Sequence, residues 1–127
     1  MKEKIENIRN IKSDFFLATN SFCFNLKTEN ETEILWIDPV WRLIQNGIFL
    51  NSSFDCPVYQ DYEDEEKYNS DFKNWCKKLE YLKEQQILGF QVTETDDIRV
   101  KFEDGSLLET FKYDENETWY LQDKEND

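Results

Sequence analysis

A chain of 127 residues fits one domain. Apolar residues make up 39% of it and aromatic residues 16%, with ten Phe, six Tyr and four Trp, which fills a core and excludes a disordered acidic tail. Twenty-eight acidic residues against fifteen basic ones give a formal charge of −13, which repels phosphate backbones and anionic lipid and points away from direct nucleic-acid or membrane contact.

The N-terminus, Met1-Lys2-Glu3-Lys4-Ile5, lacks the apolar core of a signal peptide. No stretch approaches the roughly 18 apolar residues of a membrane span, so a cytoplasmic location is expected. Residues 12–54 read as strand-rich. Phe22, Phe24 and Leu26 alternate with other residues, Thr28-Glu29-Asn30-Glu31 supplies a polar turn, and residues 34–37 return. Asp38-Pro39 turns the chain again and Trp41-Arg42-Leu43 opens the next run. Trp36 and Trp41 flank that turn, as core residues or as an exposed aromatic anchor. Asn51-Ser52-Ser53-Phe54-Asp55-Cys56-Pro57 reads as an irregular loop.

Residues 58–86 form an acidic connection followed by a helix, the helical pattern covering about 61–86. Tyr68, Phe72, Trp75, Leu79 and Leu82 recur at alternating spacings of four and three, one apolar stripe on a helix. Asp64, Glu65 and Glu66 lead it and lysines cluster later, as the helix dipole favours. Residues 87–122 return to strands: Phe90 and Val92, then Ile98, Val100 and Phe102, alternate with polar residues. Asp104-Gly105 marks a hairpin, Leu107, Leu108 and Phe111 open the return, and Asp114-Glu115-Asn116-Glu117 is a second turn. Trp119 and Leu121 then close a meander of about four antiparallel strands, and residues 123–127 are a frayed tail.

The two halves correspond. Ile5 to Arg9 match Leu79 to Lys83 at an offset of 74 positions, Phe16 and Ala18 match Phe90 and Val92, and Phe22, Phe24 and Leu26 match Ile98, Val100 and Phe102 after a two-residue shift. Trp41-Arg42-Leu43 echoes Trp119-Tyr120-Leu121. The expected architecture for residues 1–127 is a single α+β domain. Its antiparallel meander sheets, as a degenerate repeat or as two unrelated meanders, pack on one central amphipathic helix.

There is no histidine, which removes the commonest general base and metal ligand. Cys23, Cys56 and Cys76 are odd in number and widely spaced, as buried free thiols are, and they make no zinc site alone. With three glycines there is no phosphate-cradling loop. No catalytic residue, metal or cofactor is therefore expected, although converging carboxylates leave a carboxylate-based enzyme as an alternative. The run from Tyr59 to Tyr68 interleaves Tyr59, Tyr62 and Tyr68 with Asp61, Glu63, Asp64 and Glu66. It reads as a solvated helix leader or as a patch facing a basic partner, since tyrosine enriches interfaces and acids steer and pair with Lys and Arg. Glu94, Asp96 and Asp97 form a second acidic loop.

The run from Ile98 to Leu108, followed by Glu117-Thr118-Trp119-Tyr120-Leu121, resembles the C-terminal sheet of small bacterial proteins found at polymorphic toxin loci. Trp41-Arg42-Leu43 with Asn51-Ser52-Ser53-Phe54-Asp55-Cys56 resembles their first half. These motifs specify strands and turns, not chemistry. The resemblance implies an immunity protein, not an enzyme, that neutralises a cognate, basic toxin domain by occluding its active cleft. On that expectation Tyr59, Asp61, Tyr62, Glu63, Asp64 and Glu66 are the first candidates for partner contact, and Glu94, Asp96 and Asp97 the second. A general protein-interaction domain is the other alternative, and the sequence leaves the oligomeric state open.

Overall fold

The computed structural model describes residues 1–28 and 31–123. Most of the predicted tail 123–127 lies outside them, as do Glu29 and Asn30 of the first polar turn. In chain order the elements are α1 (Lys2–Glu6), β1 (Arg9–Lys12), β2 (Phe15–Ala18), β3 (Ser21–Thr28), β4 (Glu31–Ile37), β5 (Trp41–Gln45), β6 (Ile48–Ser52), α2 (Glu65–Lys77), β7 (Gln86–Val92), β8 (Ile98–Phe102), β9 (Ser106–Thr110) and β10 (Trp119–Asp123). They form two antiparallel sheets, one ordered β1-β7-β8-β9-β5-β6 and the other β10-β4-β3-β2, so the α+β expectation holds.

Local chemistry accounts for the elements. Asp64 caps α2, its carboxylate accepting the Glu66 amide at 2.9 Å. The helix is shorter than the predicted run of 61–86. It stops at Lys77, and a 3-10 turn over Glu80–Glu84 carries Leu82. The apolar stripe nevertheless survives, with Trp75, Leu79 and Leu82 all buried, because a 3-10 turn also brings positions three apart to one side. Tyr68 and Phe72, nearer the start, are only half-buried. At the β8–β9 hairpin Gly105 adopts φ +89°, and a Cβ there would lie 2.8 Å from Asn46 Oδ1. Asn46-Gly47 makes the β5–β6 hairpin with φ of 50° and 83°, the left-handed pair that a two-residue turn needs.

One apolar cluster draws on both sheets and on α2. Phe22 of one sheet meets Trp41 of the other at 4.9 Å between ring centroids, and Trp75 of α2 packs 6.0 Å from Trp41. The helix therefore covers the β5–β6 end of the larger sheet, while the rest of the core lies among strands.

The repeat expected from the sequence has a counterpart in the hydrogen-bonded register. β2, β3 and β4 form one three-stranded meander and β7, β8 and β9 form another. Phe15 faces Phe24, which faces Leu35; likewise Phe90 faces Val100, which faces Leu108. The next strand of each half then crosses over. β5 pairs with β9, setting Leu43 beside Leu108, and β10 pairs with β4, setting Leu121 beside Leu35. The indole of Trp41 donates to the Asn20 carbonyl at 2.7 Å in the β2–β3 turn; that of Trp119 donates to the Asp96 carbonyl at 3.1 Å in the β7–β8 turn. The Asp38 amide donates to Thr118 O at 2.8 Å and the Phe111 amide to Val40 O at 3.1 Å, the same bond made once from each side.

Two readings of the sequence are corrected by this exchange. β10 does not close the C-terminal meander: residues 111–118 carry the chain to the other sheet, and only three of the expected four strands stay together. Phe15, not Phe16, is the counterpart of Phe90. Phe15 is buried against Phe24 while Phe16 is exposed, because the β2–β3 turn is shorter than the β7–β8 turn and shifts the offset by one.

Candidate functional site: a cleft between β6 and α2

Residues 46–78 lie between the two halves and hold the most unusual surface. β6 departs from alternation. Leu43 faces Asn51 and Ile44 faces Phe49, so Leu50 is an extra residue, a bulge. Ile48, Phe49 and Leu50 are consequently exposed in succession, followed by Phe54, Val58 and Tyr59, with Phe54 76% exposed. Bulges re-aim side chains at strand edges, and β6 is the edge strand of its sheet.

After the bulge Asn51 points inward and is 3% exposed. Its Oδ1 accepts the Trp75 indole at 2.9 Å and the Ser52 amide at 2.8 Å. Two N–H donors on one atom assign that atom as oxygen, which leaves Nδ2 as a buried donor without a partner. Asn51 lines a cleft of about 450 Å³ together with Leu50, Asp55, Tyr62, Asp71 and Lys78. A buried unmet donor costs roughly 1–3 kcal/mol, so the position favours an incoming acceptor.

Tyr62 of the acidic and tyrosine run lines this cleft, with Asp55 and Asp71. Tyr62 donates to Asp71 Oδ2 at 2.8 Å and Lys67 lies 2.9 Å from Asp71 Oδ1. The Lys67 and Tyr62 bonds hold the Asp71 carboxyl below its ordinary value, and the Asp71 bond pushes the Tyr62 hydroxyl up. Tyr68 takes Tyr59 and Tyr62 edge-on, at 5.1 and 5.5 Å between ring centroids. Asp61, Glu63 and Glu66 are exposed. Asp64 is exposed too, but its carboxylate already serves as the helix cap.

The second predicted patch divides. Glu94 and Asp96 are exposed, whereas Asp97 is 7% exposed and belongs to the interior. Its carboxylate accepts Thr95 Oγ1 at 2.8 Å, Thr110 Oγ1 at 2.9 Å and Thr118 Oγ1 at 3.3 Å. A carboxylate on three hydroxyls is a clamp at the point where β9 gives way to the β10 crossing, so Asp97 is withdrawn as a contact residue. This loop lines a different cleft, with Arg42, Arg99 and Glu109. Of the first predicted patch Tyr62 lines the β6–α2 cleft, and Tyr59 joins it through Tyr68, whereas Asp61, Glu63, Asp64 and Glu66 are exposed outside its lining. Of the two aromatic residues around Asp38-Pro39, Trp41 is fully buried and Trp36 half-buried, stacked on Tyr120 at 5.7 Å.

Sequence reasoning missed β6 and Asn51, although Asn46-Gly47 is the hairpin signal that would have placed a strand after it. Burial pushes the Cys23 and Cys56 thiols up to about 11. Among the described residues no group of three or more Cys, Asp or Glu is placed to hold a metal, and no helix is long and apolar enough to cross a membrane. No protein-family model matches the chain, and comparison with curated proteins and with solved structures finds no match.

Proposed function

We propose that this protein works by binding another protein, and that the partner is a basic toxin domain which it neutralises by covering the active cleft. The observation that carries the reading is the cleft between β6 and α2: an unpartnered buried Asn51 donor flanked by exposed apolar side chains and bordered by carboxylates. A partner carbonyl meets Asn51 Nδ2, partner Lys or Arg meets Asp55, Asp61, Glu63 and Glu66, and partner apolar groups cover Ile48, Phe49 and Phe54. The chain charge of −13 adds steering of a cationic domain, and the sequence resemblance to immunity proteins of toxin loci supplies the biological role.

The test is affinity capture from the host at low and high salt, then measurement of whether the purified protein suppresses the toxicity of what it captures. Suppression lost in Phe49→Ser with Phe54→Ser supports the reading. Reversing Asp61, Glu63 and Glu66 to Lys, with the Asp64 cap kept, is expected to slow association by roughly tenfold or more. Unchanged affinity in both sets moves the interface elsewhere. A captured partner that is not toxic keeps the binding and sinks the toxin.

A further inference from the structure

A second groove lies where β1 leaves the larger sheet for β2, beside the 3-10 turn before β7. It has a volume of about 760 Å³, within the usual range of small-molecule sites. Lys12, Lys27 and Lys83 line it from three separate elements, β1, β3 and the turn over Glu80–Glu84. None of the three makes an ion pair among the described residues, although the chain carries 28 carboxylates for 15 cations. Lys83 is instead held 5.3 Å over the ring of Phe15. Three ammonium groups lining one groove repel one another, and a bound anion relieves that repulsion.

The lining offers an independent sign of a ligand. Ser13 lines the groove, is 1% exposed, and its hydroxyl has no hydrogen-bond partner. An unmet hydroxyl donor in the lining of a groove is what a site looks like with its ligand removed. Asp14 and Glu84 also line the groove, so among the described residues three ammonium groups stand against two carboxylates.

We infer that this groove binds a small oxyanion, a phosphate- or carboxylate-bearing molecule whose anionic oxygens meet Lys12, Lys27 and Lys83 and reach the Ser13 hydroxyl. Hydroxyl or amino groups of the same molecule satisfy Asp14 and Glu84. The site is lined by none of the residues of the β6–α2 cleft, so it does not rest on the partner-binding reading.

The experiment is a titration of the full chain, isotopically labelled, with inorganic phosphate and separately with citrate, ionic strength being matched with sodium chloride. Saturable amide shifts confined to residues 11–14, 25–27 and 83–85 are expected with one of the two, and the one that saturates identifies phosphate or carboxylate. Lys12→Gln with Lys27→Gln and Lys83→Gln is expected to weaken binding at least roughly tenfold, since the charge-assisted bonds to the anion are lost. Ser13→Ala, which leaves the lysines in place, is expected to weaken it by less while leaving thermal unfolding unchanged. No saturable shift with either anion overturns the inference, and so does a shift that persists in the triple lysine variant.

Discussion

The two halves of the molecule share a frame, and a long connection of different character joins them. Each runs through a three-stranded meander and then sends one strand across to the other half, Trp41 and Trp119 anchoring the crossings on equivalent turn carbonyls. After β5 the chain continues through β6, two 3-10 turns and α2 before the second meander begins. At its crossings the paired frame matches polar groups to one another, as with Asp97 on three threonine hydroxyls. The unpaired connection leaves Asn51 Nδ2 unmet and puts Phe49 and Phe54 in solvent. On the proposed function, this connection is where a partner docks.

The largest expected effect tests the equivalence of the crossings. Trp41 is fully buried, touching Phe22 and Trp75, and Trp41→Ala is expected to cost about 3–5 kcal/mol in urea unfolding. Trp119 is 6% exposed and borders fewer rings, so Trp119→Ala is expected to cost less. Equal losses would make the frame more symmetric than its packing, and a larger loss at Trp119 would break the comparison. Next in size, Asp97→Ala strands the Thr110 and Thr118 hydroxyls and is expected to cost roughly 2–3 kcal/mol. Near the other crossing Ser21 donates to Asp38 at 2.8 Å, and Ser21→Ala is expected to cost about 1 kcal/mol. Both are read from denaturation midpoints.

In the connection, Asp64→Ala removes the α2 cap at about 1 kcal/mol, while Phe54→Ser stays within about 0.5 kcal/mol of the parent. A markedly destabilising Phe54→Ser would mean that the exposed residues support the fold instead of a partner. The smallest effect is a dependence on pH. Asp71 has a folded value below its ordinary 3.8, so its bonds to Lys67 and Tyr62 contribute above that value and are lost as pH falls through the depressed one. The group is exposed, so the difference between the parent and Asp71→Asn should shrink with salt. The thiols offer a parallel check: Cys23 and Cys56, both raised to about 11 by burial, should be alkylated at pH 8 after Cys76, which is only half-buried. Prior reaction at Cys56 would indicate that the connection opens in solution.

By itself the sequence determined the local features. The α2 stripe from Tyr68 to Leu82, the Asp104-Gly105 hairpin, the alternation of Ile98, Val100 and Phe102, and the correspondence of Trp41-Arg42-Leu43 with Trp119-Tyr120-Leu121 all rest on periodicity and turn chemistry within a few residues. The acidic and tyrosine run, of which Tyr62 lines the cleft, was legible for the same reason. Tertiary structure alone decided which strands are neighbours, because a period of two marks a buried face without naming the strand across the hydrogen bonds. That is why the exchange of β5 and β10 was invisible, why Phe15 and not Phe16 faces the core, and why Asp97, one more acid in a loop, lies clamped inside. It is also why Asn51 and the Lys12, Lys27 and Lys83 groove came only with the fold: each is assembled from residues far apart in the chain, and an unmet hydrogen bond exists only once every other partner has been assigned.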